Sequence, residues 1–270
     1  MNYFAGIDIG STAIKIVLID EAGEMISHYI TPTGSNFYRN ALQGFNALLE
    51  KRSIERSAVK YIVSTGYGRK LFKEADESIS EITANAIGAK NLSGIDGSIR
   101  TIINIGGQDS KVILLDDGGC VKNFVMNDKC AAGTGRFLEM VSRNLEIEID
   151  ELGDYHFRSG VPLTINSTCT VFAESEIISL LANGHSKEDI IAGIHYSIAR
   201  RIAGLARRIG IDGIVLLDGG PALNRGLVKA LEDELMRDIV VPEIPQITTA
   251  FGAAIIAREA FLAERERVHA

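Results

Sequence analysis

Short runs of hydrophobic residues alternate with longer stretches of helical periodicity along most of the chain. Near its start, one apolar run reaches a polar, glycine-containing turn of about five residues and returns as a second run rich in Val, Ile and Leu, which is typical of a β-hairpin. The elements that follow are predicted at Met25–Ile30 (strand), Tyr38–Lys51 (helix), Lys60–Ser64 (strand) and Ser80–Lys90 (helix). Strands that alternate with helices at this spacing predict an α/β protein.

The hairpin pattern occurs twice. Gly6–Asp20 aligns with Ile102–Asp116 at a constant offset of 96 positions. The offset pairs Gly10 with Gly106 and continues through the apolar run behind each turn. The sequence therefore predicts two copies of one supersecondary unit, each of which opens a domain.

A stretch rich in Gly, Ser and Asp at 93–98 is the best boundary between these domains. We expect a first domain over 1–96 and a second over 97–249. A closing helix at about 250–270 could pack back on the first domain.

The second half of the chain continues the alternation of strands and helices. The predicted strands are Val121–Met126, Pro162–Ile165, Gly213–Leu217 and a short one near Ile239–Val241. The predicted helices are Arg136–Leu145, Val171–Ala182, Lys187–Gly210, Asn224–Met236 and the closing helix from Ala250. Both halves therefore carry the same α/β pattern.

Composition and charge exclude several classes of function. The 270 residues are enough for two hydrophobic cores, and 35 acidic against 28 basic side chains give a formal net charge of −7. No general positive field exists to attract a phosphate backbone, so a nucleic-acid partner is not expected. No run of 18 apolar residues and no leader pattern is found, so we expect a cytoplasmic protein without a membrane partner.

The first hairpin turn is a candidate phosphate-binding turn. Gly10 lets the backbone approach an anion, and the following residues supply two hydroxyls, Ser11 and Thr12, and the ammonium group of Lys15. The alternative is an ordinary hairpin turn without a ligand.

The second turn, Gly106–Lys111, is a matching glycine-rich cradle from the other domain. Together the two turns suggest a two-sided site for a nucleotide. Asp8 and Asp109 are then suitable oxygen ligands for a Mg²⁺ ion that bridges phosphates, directly or through water.

A third glycine-rich segment, Asp218–Asn224, follows an apolar strand and precedes a helix. Its Gly219 and Gly220 permit close approach of a flat ligand, at the point where an adenosine-binding segment would complete the site. A strand-to-helix turn with two glycines is also common without any ligand.

Two of the three cysteines, Cys130 and Cys169, lie in small, polar segments just before predicted helices, where backbone N–H groups favour a thiolate. A [4Fe–4S] cluster needs four thiolates, which a two-fold dimer could supply with two from each chain. The alternative is a pair of inert cysteines. Cys120 is expected to be structural, and the five histidines show no zinc-ligand spacing.

Three glycine-rich strand ends in this order resemble the actin, hexokinase and heat-shock-chaperone ATPase superfamily. The resemblance implies two ribonuclease-H-like domains with an ATP cleft between them, an α/β fold. The absence of GxxxxGK[ST] argues against a P-loop enzyme.

Longer runs resemble one family more closely. IGGQDSKV, MNDKCAAGTGRFLE, STCTVFAESE, IAGIH and STGYGR resemble the ATP-dependent activators, or archerases, of 2-hydroxyacyl-CoA dehydratases and the ATPase subunits of benzoyl-CoA reductase. This resemblance implies a homodimer with one bridging [4Fe–4S] cluster on Cys130 and Cys169. It also implies ATP or ADP contacts by Ser11, Thr12, Ala13, Lys15, Gly107, Gln108, Gly133, Thr134, Glu174, Gly219, Gly220 and Gln246.

The activity so implied is ATP-driven electron transfer to a partner iron–sulfur enzyme, with a ferredoxin or flavodoxin as electron donor. Gln108 and Asp109 are the candidates for positioning the attacking water. Two segments depart from the family pattern, Ser80–Ala86, where a Cys-His pair is often found, and Asp218–Ala222 in place of Thr-Gly-Gly-Val-Ala. The acceptor could therefore be a double-cubane-cluster reductase instead of a dehydratase.

Two other functions remain open on the sequence. A small-molecule kinase of the same superfamily would keep the ATP cleft but needs a carboxylate base. A nucleotide-dependent chaperone-like or regulatory switch would involve no redox chemistry. In both, Cys130 and Cys169 are incidental.

Overall fold

The computed structural model describes residues 1–95, 97–127, 131–165 and 170–269. Its strands are β1 (Tyr3–Ile9), β2 (Ala13–Ile19), β3 (Met25–Pro32), β4 (Val59–Thr65), β5 (Glu77–Ser78), β6 (Ile99–Ile105), β7 (Ser110–Leu115), β8 (Val121–Asn127), β9 (Ile214–Asp218) and β10 (Ile239–Val240). Its α-helices are α1 (Phe37–Arg52), α2 (Glu81–Lys90), α3 (Gly135–Leu145), α4 (Leu152–Arg158), α5 (Thr170–Ala182), α6 (Lys187–Ile209), α7 (Arg225–Leu235) and α8 (Thr248–His269).

The chain divides into two compact units. Unit 1 comprises residues 1–96, 117–121 and 246–270, and unit 2 comprises 97–116 and 122–245. Each unit contains one five-stranded mixed sheet and its own hydrophobic core. The predicted α/β fold class is confirmed.

Both sheets use the same strand order. Unit 1 has the order β3-β2-β1-β4-β5, and unit 2 has β8-β7-β6-β9-β10 when its order is given in the same direction. In unit 1, β1 pairs antiparallel with β2 and parallel with β4. In unit 2, β6 pairs in the same two ways with β7 and β9. The repeat in the sequence is therefore a repeat in the fold.

The core of unit 1 lies between its sheet and α1, where Ile7 and Ile16 pack with Phe45, and α8 lies directly against β1. A Cβ at Gly6 would overlap the carbonyl oxygen of Ala250, so only glycine lets α8 approach the strand this closely. A Cβ at Gly252 would likewise overlap the carbonyl oxygen of Ala84, where α8 crosses α2. Close backbone approach thus fixes α8 against the sheet.

The core of unit 2 is built around α6. Its Ile190, Ile194, Ile198 and Ile202 recur every four residues and are buried, as expected for one face of a helix. Helices α4 and α7 pack against α6. Helix α4 itself is not expected from the sequence.

The strand predicted at Pro162–Ile165 is wrong, because this segment is irregular. Its backbone is held by α6 instead of by a sheet. The Leu163 N–H donates to the Asp189 carbonyl at 3.0 Å, and the Asp189 carboxylate accepts from the Val161 N–H at 3.0 Å. In the part of the chain that the structure describes, no helix has the length and apolar character needed to cross a bilayer.

Candidate functional site

The first hairpin turn lies in unit 1 between β1 and β2. Asp8 and Lys15 are opposite each other in the register of the two strands, and their side chains form an ion pair of 3.0 Å between Lys15 Nζ and Asp8 Oδ2. The Asp8 side chain is 9% exposed and that of Lys15 is 20% exposed. A mostly buried charge pair is thus held at the base of the turn.

The backbone of this turn is held by Thr33, the residue that follows β3. The Gly10 N–H donates to the Ala13 carbonyl at 3.1 Å and closes the turn. Thr33 donates through Oγ1 to the Gly10 carbonyl at 2.7 Å and through its N–H to the Thr12 carbonyl at 2.9 Å. Within the described residues, the buried Thr12 Oγ1 has no hydrogen-bond partner, which suits a hydroxyl that binds a ligand.

The loop after β4 packs directly beside Asp8. The N–H of Gly68 donates to the Ile9 carbonyl at 2.8 Å. Gly66 has φ +86°, and a Cβ there would overlap the Asp8 carboxylate. This loop, residues 65–69, therefore forms one wall of the first turn, and its two closely spaced glycines were the signal in the sequence.

The second turn, in unit 2, repeats the first with one exchange. Its Gly106 N–H donates to the Asp109 carbonyl at 2.8 Å, the counterpart of the Gly10 bond 96 positions earlier. Lys111 is again ion-paired, but its partner is Asp109, at 2.8 Å, from within the turn. Gln108 is exposed at the tip.

Asn104 lies opposite Lys111 in the register of β6 and β7. At the offset of 96, this asparagine corresponds to Asp8 of the first copy. Its Nδ2 donates to the Asp218 carboxylate at 2.6 Å, and Asp218 is fully buried at the end of β9. Sequence reasoning missed Asn104, although the offset could have identified it. This bond ties the second turn to the Asp218–Asn224 segment.

Two further glycine-rich segments converge on the second turn. The N–H groups of Gly135 and Arg136, at the start of α3, donate to the Gly106 and Gly107 carbonyls, each at 2.9 Å. A Cβ at Gly135 would lie 3.6 Å from Pro221 Cγ. The turn, the start of α3 and the segment after β9 thus form one cluster of backbone.

The two glycines after β9 serve different purposes. Gly219 has φ +92°, donates to the Pro245 carbonyl at 2.8 Å, and approaches β6 so closely that a Cβ would overlap the Ile105 carbonyl oxygen. A Cβ at Gly220 would meet no atom within 4 Å. Gly219 is therefore required by packing, whereas Gly220 borders open space.

The predicted contact residues fall into two sets. Unit 1 holds Asp8, Ser11, Thr12, Ala13, Lys15 and Gln246, and unit 2 holds Gly107, Gln108, Asp109, Gly133, Thr134, Glu174, Gly219 and Gly220. Glu174 lies on α5, where its carboxylate accepts from Asn144 Nδ2 at 3.3 Å. Gln246 directly precedes Ile247 and the start of α8.

The two cysteines predicted to bind a cluster, Cys130 and Cys169, lie outside the described residues. Helix α5 begins at Thr170, directly after Cys169 in the sequence, and α3 begins five residues after Cys130. The thiol within the described residues is that of Cys120, which is exposed between β7 and β8. The same residues contain no group of three His, Cys, Asp or Glu side chains able to hold a metal.

Two sheets of this order, each opened by a glycine hairpin, define an actin/hexokinase-type ATPase fold. A ROK family glucokinase from Streptomyces griseus, in complex with glucose and AMPPNP, matches with a TM-score of 0.59 over 96% of this chain and 100% of that one. Its identity of 13% supports the fold alone.

The chain belongs to the BadF/BadG/BcrA/BcrD ATPase family, whose model matches residues 5–257. It is 45% identical over 260 residues to a 2-hydroxyisocaproyl-CoA dehydratase activator from Clostridioides difficile, covering 94% of each chain. The solved structure of an activator of 2-hydroxyisocaproyl-CoA dehydratase from Clostridium difficile, with bound ADPNP, has a TM-score of 0.92 at 42% identity and covers 98% of this chain and 97% of that one. The family resemblance predicted from the sequence is confirmed.

Proposed function

We propose that this protein is an ATP-dependent activator that couples ATP binding and hydrolysis to the delivery of low-potential electrons to a partner iron–sulfur enzyme. The observation that carries the proposal is the pair of turns 96 residues apart, each closed by its glycine and each carrying a lysine paired to a carboxylate. The likeness to dehydratase activators over nearly the whole chain supports the same function.

The two turns are proposed to hold the nucleotide phosphates. Backbone N–H groups, the Ser11 hydroxyl and the unpartnered Thr12 hydroxyl would donate to phosphate oxygens in unit 1. Lys15 and Lys111 would add positive charge, since each ammonium group can donate to a phosphate in addition to its carboxylate partner.

The carboxylates of Asp8 and Asp109 are hard oxygen donors, the chemistry that Mg²⁺ prefers. Each is already paired with a lysine, at 3.0 and 2.8 Å. We propose that these two carboxylates hold Mg²⁺ directly or through water, with phosphate oxygens as the other ligands.

The adenosine is proposed to lie against Gly219 and Gly220. The open space beside Gly220 supports this position, because a ligand ring could approach its backbone. Gly107, Gly133 and Thr134 would line the adjacent phosphates. Glu174 and Gln246 are proposed as further contacts with the nucleotide.

Gln108 is proposed to orient the water that attacks the terminal phosphate, with Asp109 beside it. Gln108 is exposed at the tip of the turn, so its amide can reach outward to a water molecule. Its amide can accept from water and donate to phosphate at the same time. Loss of the terminal phosphate would then remove contacts that distinguish the two nucleotide states.

Cys130 and Cys169 are proposed to hold half of a [4Fe–4S] cluster, with the same residues of a second copy completing it in a homodimer. The bound cluster would supply one-electron storage and release. Cys169 directly precedes α5 in the sequence, and the N-terminal N–H groups of a helix would stabilise the negative charge of a thiolate at that position. Nucleotide-dependent movement of α3 and α5 would alter the surroundings of these thiolates.

The proposed acceptor is an iron–sulfur protein, either a 2-hydroxyacyl-CoA dehydratase or a double-cubane-cluster reductase. A ferredoxin or flavodoxin is the proposed electron donor. A small-molecule kinase would instead transfer the terminal phosphate to a hydroxyl, with no requirement for either cysteine.

The test measures iron and acid-labile sulfide per chain, with visible absorption, in anaerobically purified protein. We expect about two iron atoms per chain, as one cluster per dimer requires. Cys130→Ala and Cys169→Ala should each abolish the cluster, whereas Cys120→Ala should retain it. A reconstituted wild type that binds ATP but holds no iron would contradict the redox function.

A further inference from the structure

A buried pair of histidines lies behind the segment that follows β9. His195, on α6, is fully buried, and His156, on α4, is 7% exposed. Their Nδ1 atoms are 3.2 Å apart. Both rings pack against the first turn of α7, where a Cβ at Gly226 would overlap His156 and lie 3.0 Å from His195 Nδ1.

The pair is joined to Asn224, the N-cap residue of α7. Asn224 Oδ1 accepts from the Leu227 N–H at 3.1 Å, and Asn224 Nδ2 lies 3.0 Å from His195 Nε2. Asn224 is itself 9% exposed. These contacts form one continuous chain from the backbone of α7 to His156.

The donor and acceptor chemistry fixes the direction of each hydrogen bond in this series. The backbone N–H of Leu227 can only donate, so Asn224 Oδ1 faces it and Asn224 Nδ2 faces His195. An amide nitrogen also only donates, so His195 Nε2 accepts and carries no proton. The proton of neutral His195 is then on Nδ1 and is donated to His156 Nδ1, which leaves the proton of His156 on Nε2.

Asn224 closes the turn that contains the two glycines after β9. The N–H of Asn224 donates to the Pro221 carbonyl at 3.0 Å, and the N–H of Ala222 donates to the Gly219 carbonyl at 3.2 Å. Helix α4 also contacts Asn224, since a Cβ at Gly153 would lie 3.3 Å from its Oδ1. The turn therefore ends at the residue whose side-chain amide caps α7 and contacts His195.

We propose that His195 and His156 are positioning residues of the nucleotide site, whose directed hydrogen bonds through Asn224 hold the Gly219–Leu223 turn in the geometry that binds adenosine. This inference rests on the proposed function, because it assumes that the turn contacts the nucleotide. Neither histidine is proposed to touch ATP.

The first experiment determines the tautomers of both histidines in the whole protein by ¹⁵N NMR at neutral pH. We expect a protonated Nδ1 on His195 and a protonated Nε2 on His156. In Asn224→Asp, the carboxylate can only accept, so His195 Nε2 should become protonated while α7 keeps its N-cap acceptor. A protonated Nε2 in the wild type, or an unchanged Nε2 in the variant, would overturn the directed chain.

The second experiment measures the Kd of Mg·ADP and the KM and kcat for ATP. His195→Leu leaves the Asn224 amide without an acceptor, so we expect Kd and KM to rise about tenfold, the effect of one lost buried hydrogen bond, while kcat changes by less than about twofold. His195→Gln restores an acceptor and should recover most of the affinity. The control is His185→Leu, at an exposed histidine.

The outcomes separate this inference from the proposed function. Equal affinity in His195→Leu and wild type would overturn the positioning role alone, as would equal losses in His195→Leu and His195→Gln. A wild type that binds neither ADP nor ATP would overturn the nucleotide function and the positioning role together. If His195→Leu does not fold, the histidine tautomers of the wild type and of Asn224→Asp still test the direction of the hydrogen bonds. The nucleotide affinity of His195→Gln, compared with that of the wild type, then tests the positioning role.

Discussion

At the scale of single residues, the two copies of the hairpin differ in how the charge of the lysine is paired. Lys15 is held by an aspartate on the neighbouring strand, whereas Lys111 is held by an aspartate within its own turn. Asn104, the counterpart of Asp8, accepts from Lys111 Nζ at 3.5 Å through its Oδ1 and donates to Asp218 through its Nδ2. Both lysines nevertheless end at a glycine turn with their charge balanced, so either can donate to a phosphate without leaving an unpaired buried charge.

We expect Lys15→Ala and Lys111→Ala each to weaken Mg·ADP binding about 10- to 100-fold, the contribution of one charge-assisted hydrogen bond to phosphate. Titration calorimetry measures the effect, and Lys73→Ala, at an exposed lysine of unit 1, is the control. Affinity that is unchanged in both variants would remove the lysines from the site.

At the scale of elements, glycines set how closely helices pack. In unit 1, α2 and α8 touch through backbone atoms at Gly88 and Gly252, where any side chain would overlap the opposite helix. In unit 2, Gly204 on α6 has no atom within 4 Å of a Cβ position. Gly88 and Gly252 therefore exclude a side chain, whereas Gly204 leaves room for one.

We expect Gly252→Ala to destabilise the protein by about 1–3 kcal/mol or more, because the new methyl group must push α8 away from α2. Gly204→Ala should be neutral or stabilising by about 0.5–1 kcal/mol, since alanine favours the helix and meets no obstacle. Urea denaturation of both variants checks the pair. Equal effects would mean that α2 and α8 pack less closely than described.

At the scale of the whole molecule, the two units share one sheet topology. Each unit has a hairpin, a parallel strand beside it and helices on the sheet. Among the described residues, the buried pair of histidine rings lies in the helical layer of unit 2. Burial lowers the pKa of His195 to about 3, and burial also lowers the pKa of His156. Asp233 of α7 opposes the shift of His156, and Lys229 adds to it.

These shifts make global stability depend on pH. Below the ordinary histidine pKa of about 6.5, the unfolded chain takes up protons that the folded chain excludes, so the free energy of unfolding should fall as the pH drops from 6.5 toward 4. The pKa of Asp189 is lowered to about 2 by its bonds to Ser159 and Val161, so its contribution is lost only at still lower pH.

Denaturation at several pH values measures this dependence. His195→Gln should make the curve less steep between pH 6.5 and 4 than that of the wild type measured alongside it. A wild-type curve that is flat over this range would mean that His195 is not buried as a neutral ring.

The sequence by itself determined the elements whose pattern is local. Periodicity predicted α1, α3, α6 and α7 within one or two residues, and the offset of 96 predicted the repeated hairpin. Glycine turns and lysines at matching positions also marked the candidate phosphate site, because the need for backbone approach and positive charge is visible residue by residue.

Only the tertiary structure decided the features that depend on contacts between residues far apart in the sequence. The segment Pro162–Ile165 is predicted as a strand, but Asp189 of α6 accepts from the N–H groups of Val161, through its carboxylate, and Leu163, through its carbonyl. The sequence of α4 does not predict a helix, and α4 is stabilised by its packing on α6 and α7. His156 and His195 are 39 residues apart and face each other only because those helices cross. Such contacts arise from folding, and no local pattern encodes them.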